Sequence, residues 1–422
     1  MVKSSMHNDD DSVESRVVGF TKVSTQLKKA SKAEGIGYPS TTQNSSEMNT
    51  VDEIHNSSGA QNGNNLLDGV TDNTEELTVR PSKLDEIIGR DNQKKKIRMM
   101  IKSAQKRGNT VDHVLFYGPP GLGKTTFAIA IANEMGSSLH VTSGPAILRQ
   151  ADLATILTNL KKNDVLFIDE IHRLSRSVEE VLYPAMEDMK LDIVLGKGVS
   201  ANSIRIDLQP FTLIGATTRI GLISSPLRDR FGLIQRLDFF DNESLVQILH
   251  RASGIWGMSL EPKAVEEIAS RSRGTARVAL RLLRRIRDYV DSEDNNVGGE
   301  DYAKIGDLST KKARSQGKNR SVDEDSLITY EMVIDALNLL EVDRLGLEDI
   351  DHRIISTMYN NFCGGPVGLS TLSAAIGEDV GAISDVNEPF LMRAGLIKRT
   401  SRGRVLTEKG ILYAQELNDK IL

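Results

Sequence analysis

Residues 118–125 read Gly-Pro-Pro-Gly-Leu-Gly-Lys-Thr, the spacing of a phosphate-binding loop. A strand-like run, His113-Val-Leu-Phe-Tyr117, leads into it, and a helix-like run from Thr126 to Met135 leads out. A glycine-rich turn with an incidental lysine would have neither flank. Gly118, Gly121 and Gly123 let the backbone turn successive N–H groups toward phosphate oxygens, and the following helix adds the positive end of its dipole. Lys124 is placed to reach the β- and γ-phosphates, and the Thr125 hydroxyl to ligate Mg²⁺. The pattern predicts nucleoside triphosphate binding.

Strand-like runs at Leu139-His-Val-Thr142 and Asp164-Val-Leu-Phe-Ile168 alternate with helical segments, which predicts a mostly parallel sheet flanked by helices. The second run ends in Asp169-Glu170. These carboxylates either cap the next helix or, beside a phosphate loop, hold Mg²⁺ through water and polarise an attacking water. Two alternating runs, Leu191–Gly196 and Ser203–Leu208, predict a β-hairpin. Its face of Ile204, Ile206 and Leu208 is either an exposed partner site or packed on its own domain. The buried run Phe211–Arg219 ends in hydroxyl residues that can face a γ-phosphate, and Arg228 and Arg230 flank Asp229 just beyond it.

The net charge of −5 conceals an uneven distribution. Residues 1–76 carry six basic against twelve acidic side chains, a local −6 that leaves +1 for the rest. That stretch is rich in Ser, Asn, Asp and Gly and lacks periodicity, which predicts a disordered extension. Similar composition over 291–326 predicts a flexible insertion within a helical region. The arginine-rich segment from Leu245 to Tyr289 reads as helical, with most of its arginines on a solvated face. Arg277, just after Gly274-Thr-Ala276, is the one placed toward a nucleotide. Near the C-terminus, three helical segments precede a short hairpin carrying Lys398, Arg399, Arg402 and Arg404. This order predicts a winged helix, a geometry that serves DNA binding and also plain protein interaction. No apolar run approaches the roughly 18 residues of a membrane helix. The single cysteine fits a reducing compartment, and the N-terminus has no secretory core. The expectation is a cytoplasmic protein that does not engage a membrane.

Together these motifs resemble AAA+ ATPases and, more narrowly, the RuvB family of Holliday junction branch migration motors. The specific phrases are Asp112–Thr126, Ile214–Arg219, Pro226-Leu-Arg-Asp-Arg-Phe-Gly232, Gly364-Gly-Pro-Val-Gly-Leu369 and Arg399-Thr-Ser-Arg-Gly-Arg404. The resemblance implies a large α/β P-loop domain over 77–240 with a hairpin at 191–208. A helical lid at 241–345 and a winged-helix DNA-binding domain at 346–422 would follow. It implies ATP and Mg²⁺ as ligands, with Val79, Arg80 and Phe240 near the adenine and Gly118, Gly121, Gly123, Lys124, Thr125 and Thr126 on phosphates. Thr125 and Asp169 would serve the metal and Glu170 the attacking water. Thr218 and Arg277 would sense the nucleotide. Arg230 would act as a finger in a neighbouring site, with Glu187, Asp188 and Met189 also beside nucleotide. Arg399, Arg402 and Arg404 would meet phosphates of double-stranded DNA. Ile204 and Ile206 would dock a RuvA-type junction-binding protein, in a homo-hexamer that can cooperate with a RuvC-type resolvase. Phe240 and Ala276 depart from the tyrosine and proline usual in the family. Two other functions fit the same motifs: a clamp-loader or initiator-like AAA+ switch, and an ATP-gated DNA-binding regulator.

Overall fold

The computed structural model describes residues 78–195, 202–295 and 327–421. The expectations for residues 1–76, for the hairpin tip and for most of the insertion lie outside them.

A short 3₁₀ turn at Leu84–Glu86 and helix α1 (Asp91–Arg107) precede strand β1 (Val114–Tyr117). Then follow α2 (Lys124–Met135), β2 (Leu139–Ser143), α3 (Gln150–Thr158), β3 (Val165–Asp169) and α4 (Arg176–Glu187). The hairpin is β4 (Lys190–Leu195) with β5 (Asn202–Asp207), and β6 (Thr212–Thr217), α5 (Ser225–Arg228) and β7 (Leu233–Arg236) complete the domain. The five parallel strands take the order β2-β3-β6-β1-β7. Alternation along β1 explains why both faces are covered. Leu115 joins a core with α3 and α4, while Val114 and Phe116 join a second core with α1 and α2. Phe116 stacks on Phe127 of α2 at 5.2 Å, which fixes the helix that begins at Lys124 over the strand that leads to it.

The segment expected to be helical consists of three helices: α6 (Asn242–Ile255), α7 (Pro262–Arg271) and α8 (Ala276–Asn295). Pro262 can only start a helix, and Gly274 (φ 68°) ends the turn before α8. With α9 (Tyr330–Leu339) they enclose their own core. Helix α8 runs five residues into the stretch expected to be linker. Its last turn bears Asp291, Ser292 and Glu293, all exposed, and so shows no apolar period.

The C-terminal domain contains α10 (Asp349–Phe362), α11 (Leu369–Ile376), α12 (Val380–Ala382), a π-helical turn (Ile383–Asn387), α13 (Glu388–Arg393), the β8–β9 hairpin and α14 (Glu408–Ile421). In that hairpin, β8 is Ile397–Thr400 and β9 is Gly403–Leu406. The three expected helical segments and the wing are present, with a helix after the wing that the sequence reading did not anticipate.

Candidate active site

Strand β1 delivers the phosphate loop at the C-terminal edge of the sheet, where open α/β sheets place ligands. Gly118 N–H donates to Thr217 O at 3.1 Å, locking the loop to the end of β6. Gly118 has φ 145°, and a Cβ there would overlap the carbonyl oxygen of Leu237, so only glycine fits. At Gly121 (φ 76°) a Cβ would lie 2.9 Å from Arg277 Cβ, so the bare glycine is what lets the lid approach the loop. Lys124 opens α2, and its Nζ donates to Gly118 O and Pro119 O, each at 2.9 Å. Burial pushes its pKa down, against the pull of Asp169 and Glu170 in the other direction. A buried ammonium whose hydrogen-bond partners among the described residues are two carbonyls suits an anionic ligand.

Strand β3 carries Asp169 to the same edge. Asp169 Oδ1 accepts from Glu170 N–H at 2.9 Å, and Glu170 takes a left-handed backbone, φ 47°, which costs a non-glycine residue about 1–3 kcal/mol. That turn aims its carboxylate at two neighbours. Thr218 Oγ1 donates to Glu170 Oε2 at 3.3 Å, and His172 Nδ1 lies 3.0 Å from the same oxygen. His172 had no assigned role in the sequence reading. Its only signal was its place two residues after the carboxylate pair.

One cleft gathers most of the predicted residues: Val79, Arg80, Gly121, Gly123, Lys124, Thr125, Thr126, Asp169, Glu170, Phe240 and Arg277 all line it. Ile87, Ile88, Ile248 and Leu280 make one part of its lining apolar. An apolar slot for a base joined to a cationic loop for phosphates fits a nucleoside triphosphate, and the Thr125 hydroxyl with the Asp169 carboxylate offers the hard oxygen donors that Mg²⁺ prefers. Gly118 and Thr218 stand one bond behind this lining, on Lys124 and Glu170. Two further arginines, unforeseen from sequence, shape the base end. Arg90 lies 4.1 Å over the Phe240 ring with its pKa drawn down to about 10 by burial, and Arg251 donates to Val79 O.

Arg230 sits elsewhere. With Glu187, Asp188 and Tyr183 it lines a second hollow, where its Nη2 is 3.0 Å from Glu187 Oε2 and its guanidinium lies 4.5 Å over the Tyr183 ring. Met189 stands beside this group at the hairpin base, its carbonyl accepting from Leu208 N–H at 2.8 Å. The hairpin is graded: Leu208 is buried, Ile206 packs partly on the domain core, and Ile204 is 46% exposed.

In the wing, Glu388 is almost wholly buried and holds two guanidiniums. Arg404 donates to both of its oxygens (2.9 and 3.0 Å), and Arg399 Nε donates at 3.0 Å. Burial pulls the Glu388 carboxyl up, but the bonds from Arg404 and Arg399 prevail and hold it below its ordinary value. Arg399 keeps 55% of its side chain exposed and Arg404 only 17%, while Arg402 is exposed at the turn. Of the three, Arg404 is thus the most committed to the fold. The solvated arginine face expected in the lid needs correction too. Arg271, Arg273 and Arg284 are buried, and the first two are neutralised by Glu267, Glu348 and Asp351.

Three family models match the chain in order: the Holliday junction DNA helicase RuvB P-loop domain over 79–237, the RuvB AAA lid domain over 240–305 and the RuvB C-terminal winged helix domain over 344–415. Among solved structures, the Thermotoga maritima RuvB Holliday junction branch migration motor is 43% identical, with a TM-score of 0.67 over 80% of this chain and 98% of that one. Two single-residue mutants of the same protein match over the same shares, one at 43% identity with TM-score 0.68 and one at 42% with 0.66.

Proposed function

Because the chain belongs to the RuvB family of Holliday junction branch migration motors, P-loop ATPases with a winged helix, we propose that it works as a ring of six subunits around double-stranded DNA. ATP is cleaved at the subunit interfaces. The observation that carries this reading is the separation of Arg230 from its own cleft, which holds Lys124, Thr125, Asp169, Glu170 and Arg277 together. An arginine on a different hollow of the same domain, next to Glu187 and Asp188, is placed to complete a neighbouring subunit's site.

In that site Lys124 binds the β- and γ-phosphates, and Glu170 takes a proton from the attacking water as its oxygen bonds to the γ-phosphorus and the bridge to ADP breaks. Thr125 and Asp169 would hold Mg²⁺, whose charge offsets that of the phosphate oxygens. A neighbour's Arg230 stabilises the charge developing in transfer. Thr218 and Arg277 register the γ-phosphate and pass the change to the lid. The wing, through Arg399 and Arg402 with Arg404 behind them, grips phosphates without reading sequence, as a translocating motor requires. Exposed Ile204 offers the apolar contact for a RuvA-type partner, and a RuvC-type resolvase would act on the migrated junction, in the cytoplasm.

The test is ATP-dependent dissociation of a synthetic four-way junction, with and without a RuvA-type protein. Dissociation that needs both ATP and the partner, and that Lys124→Ala abolishes, supports the motor. ATP hydrolysis without junction processing would overturn it.

A further inference from the structure

We propose that His172 and Arg219 are positioning residues for the hydrolytic step, tying the Glu170 carboxylate to the seat of the winged-helix domain. This rests on the assignment of Glu170 as the group that accepts a proton from water. His172 Nδ1 is approached by two oxygens, Glu170 Oε2 at 3.0 Å and Thr217 Oγ1 at 2.9 Å. A carboxylate has only lone pairs to offer, so this arrangement is stable with the proton on Nδ1, shared between the two acceptors. Thr217 Oγ1 accepts a second hydrogen bond, from Arg219 N–H at 2.9 Å. The Arg219 side chain then leaves the nucleotide-binding domain. Its Nε donates to Asp385 Oδ1 at 3.1 Å, and its Nη2 donates to the same oxygen.

Asp385 lies in the π-helical turn of the winged-helix domain. Two residues on, Asn387 donates to buried Asp351 at 2.7 Å, and the next residue, Glu388, holds the wing arginines. A series of hydrogen bonds, carried through the Arg219 backbone and then along the chain from Asp385 to Glu388, therefore joins Glu170 to the wing. Its inner links are the more shielded, with Thr217 fully buried and the His172 side chain 9% exposed. Its outer link is exposed, 42% at Arg219 and 39% at Asp385, and yields first when the domain is displaced. Release of Arg219 frees the backbone that orients the Thr217 hydroxyl, and with it the imidazole that steadies Glu170. The glutamate is held for catalysis when the domain is seated.

The experiment is steady-state ATP hydrolysis by the full chain. His172→Ala lowers kcat about tenfold or more while KM for ATP stays within about twofold, the pattern of a misaligned reacting group. Arg219→Ala and Asp385→Ala each lower kcat about two- to fivefold, the range open to an exposed pair. Exchanging the charges, Arg219→Asp with Asp385→Arg, restores kcat to within about twofold of the unaltered protein, which a merely structural defect would not do. Unchanged kcat in Asp385→Ala, or an exchange no better than its single variants, overturns the proposal. Glu170→Gln is measured alongside. Full activity there would remove the base itself, whereas an inactive Glu170→Gln beside a fully active Asp385→Ala would remove this coupling alone.

Discussion

Where the winged-helix domain meets the lid, a buried guanidinium gathers four contacts; where it meets the nucleotide-binding domain, an exposed ion pair joins Arg219 to Asp385. Arg273 donates to Gly346 O at 2.7 Å, lies 2.8 Å from Asp351 and 3.1 Å from Glu348, and sits 4.8 Å over the Phe390 ring. Beside it Arg271 donates to Val342 O at 2.8 Å, and Gly346 passes so close to the Arg271 carbonyl that a Cβ would overlap it. Arg393 passes the lid in the room left by Gly274 and lies 4.2 Å over Phe239 of the nucleotide-binding domain. The seam with the lid is built like a domain interior, and the contact with the ATPase domain like a surface. If the lid turns, the winged helix is expected to move with it and the contacts with the ATPase domain to be the ones that open.

Arg273→Ala attacks the strong seam and should have the largest effect on stability. It removes the cation paired with fully buried Asp351, leaving that carboxylate only neutral donors among the described residues, at a cost of about 3–5 kcal/mol measured by urea unfolding of the full chain. Gly274→Ala comes next, at about 1–2 kcal/mol, because alanine is strained at φ 68° and Arg393 must leave its place. At the weak contact, Arg219→Ala should cost under about 1 kcal/mol, and less still in high salt. Equal losses from Arg273→Ala and Arg219→Ala would dissolve the distinction between the two.

The smallest effect is one of pH. The Glu388 pKa lies below its ordinary value of 4.5, so its contribution to the wing is complete above that pH and fades as pH falls through the depressed value. Thermal stability should therefore drop at acid pH, and Glu388→Gln should remove that part of the drop.

The phosphate loop and the Asp169-Glu170 pair were legible in the sequence because their chemistry is local: a spacing of glycines, a carboxylate pair at a strand end. The wing was legible for the same reason. What was hidden joins distant positions. Arg219 and Asp385 are 166 residues apart. Arg271 and Arg273 read as solvated because the carboxylates that bury them, Glu348 and Asp351 among them, come from another domain. The last turn of α8 was hidden because its exposed residues carry little apolar rhythm, whereas α14 has one, Tyr413, Ala414 and Leu417 packing on the domain core, that was not used.

The π-helical turn at Ile383–Asn387 has a consequence for phase. A regular helix advances about 100° per residue, and a π turn advances less, so every side chain after it is rotated relative to those before it. Asp385, Asn387 and Glu388 thereby point to three partners in three directions: Arg219, Asp351 and the wing. A chain shorter by one residue there would regularise the helix and bring one of these partners out of alignment with the other two.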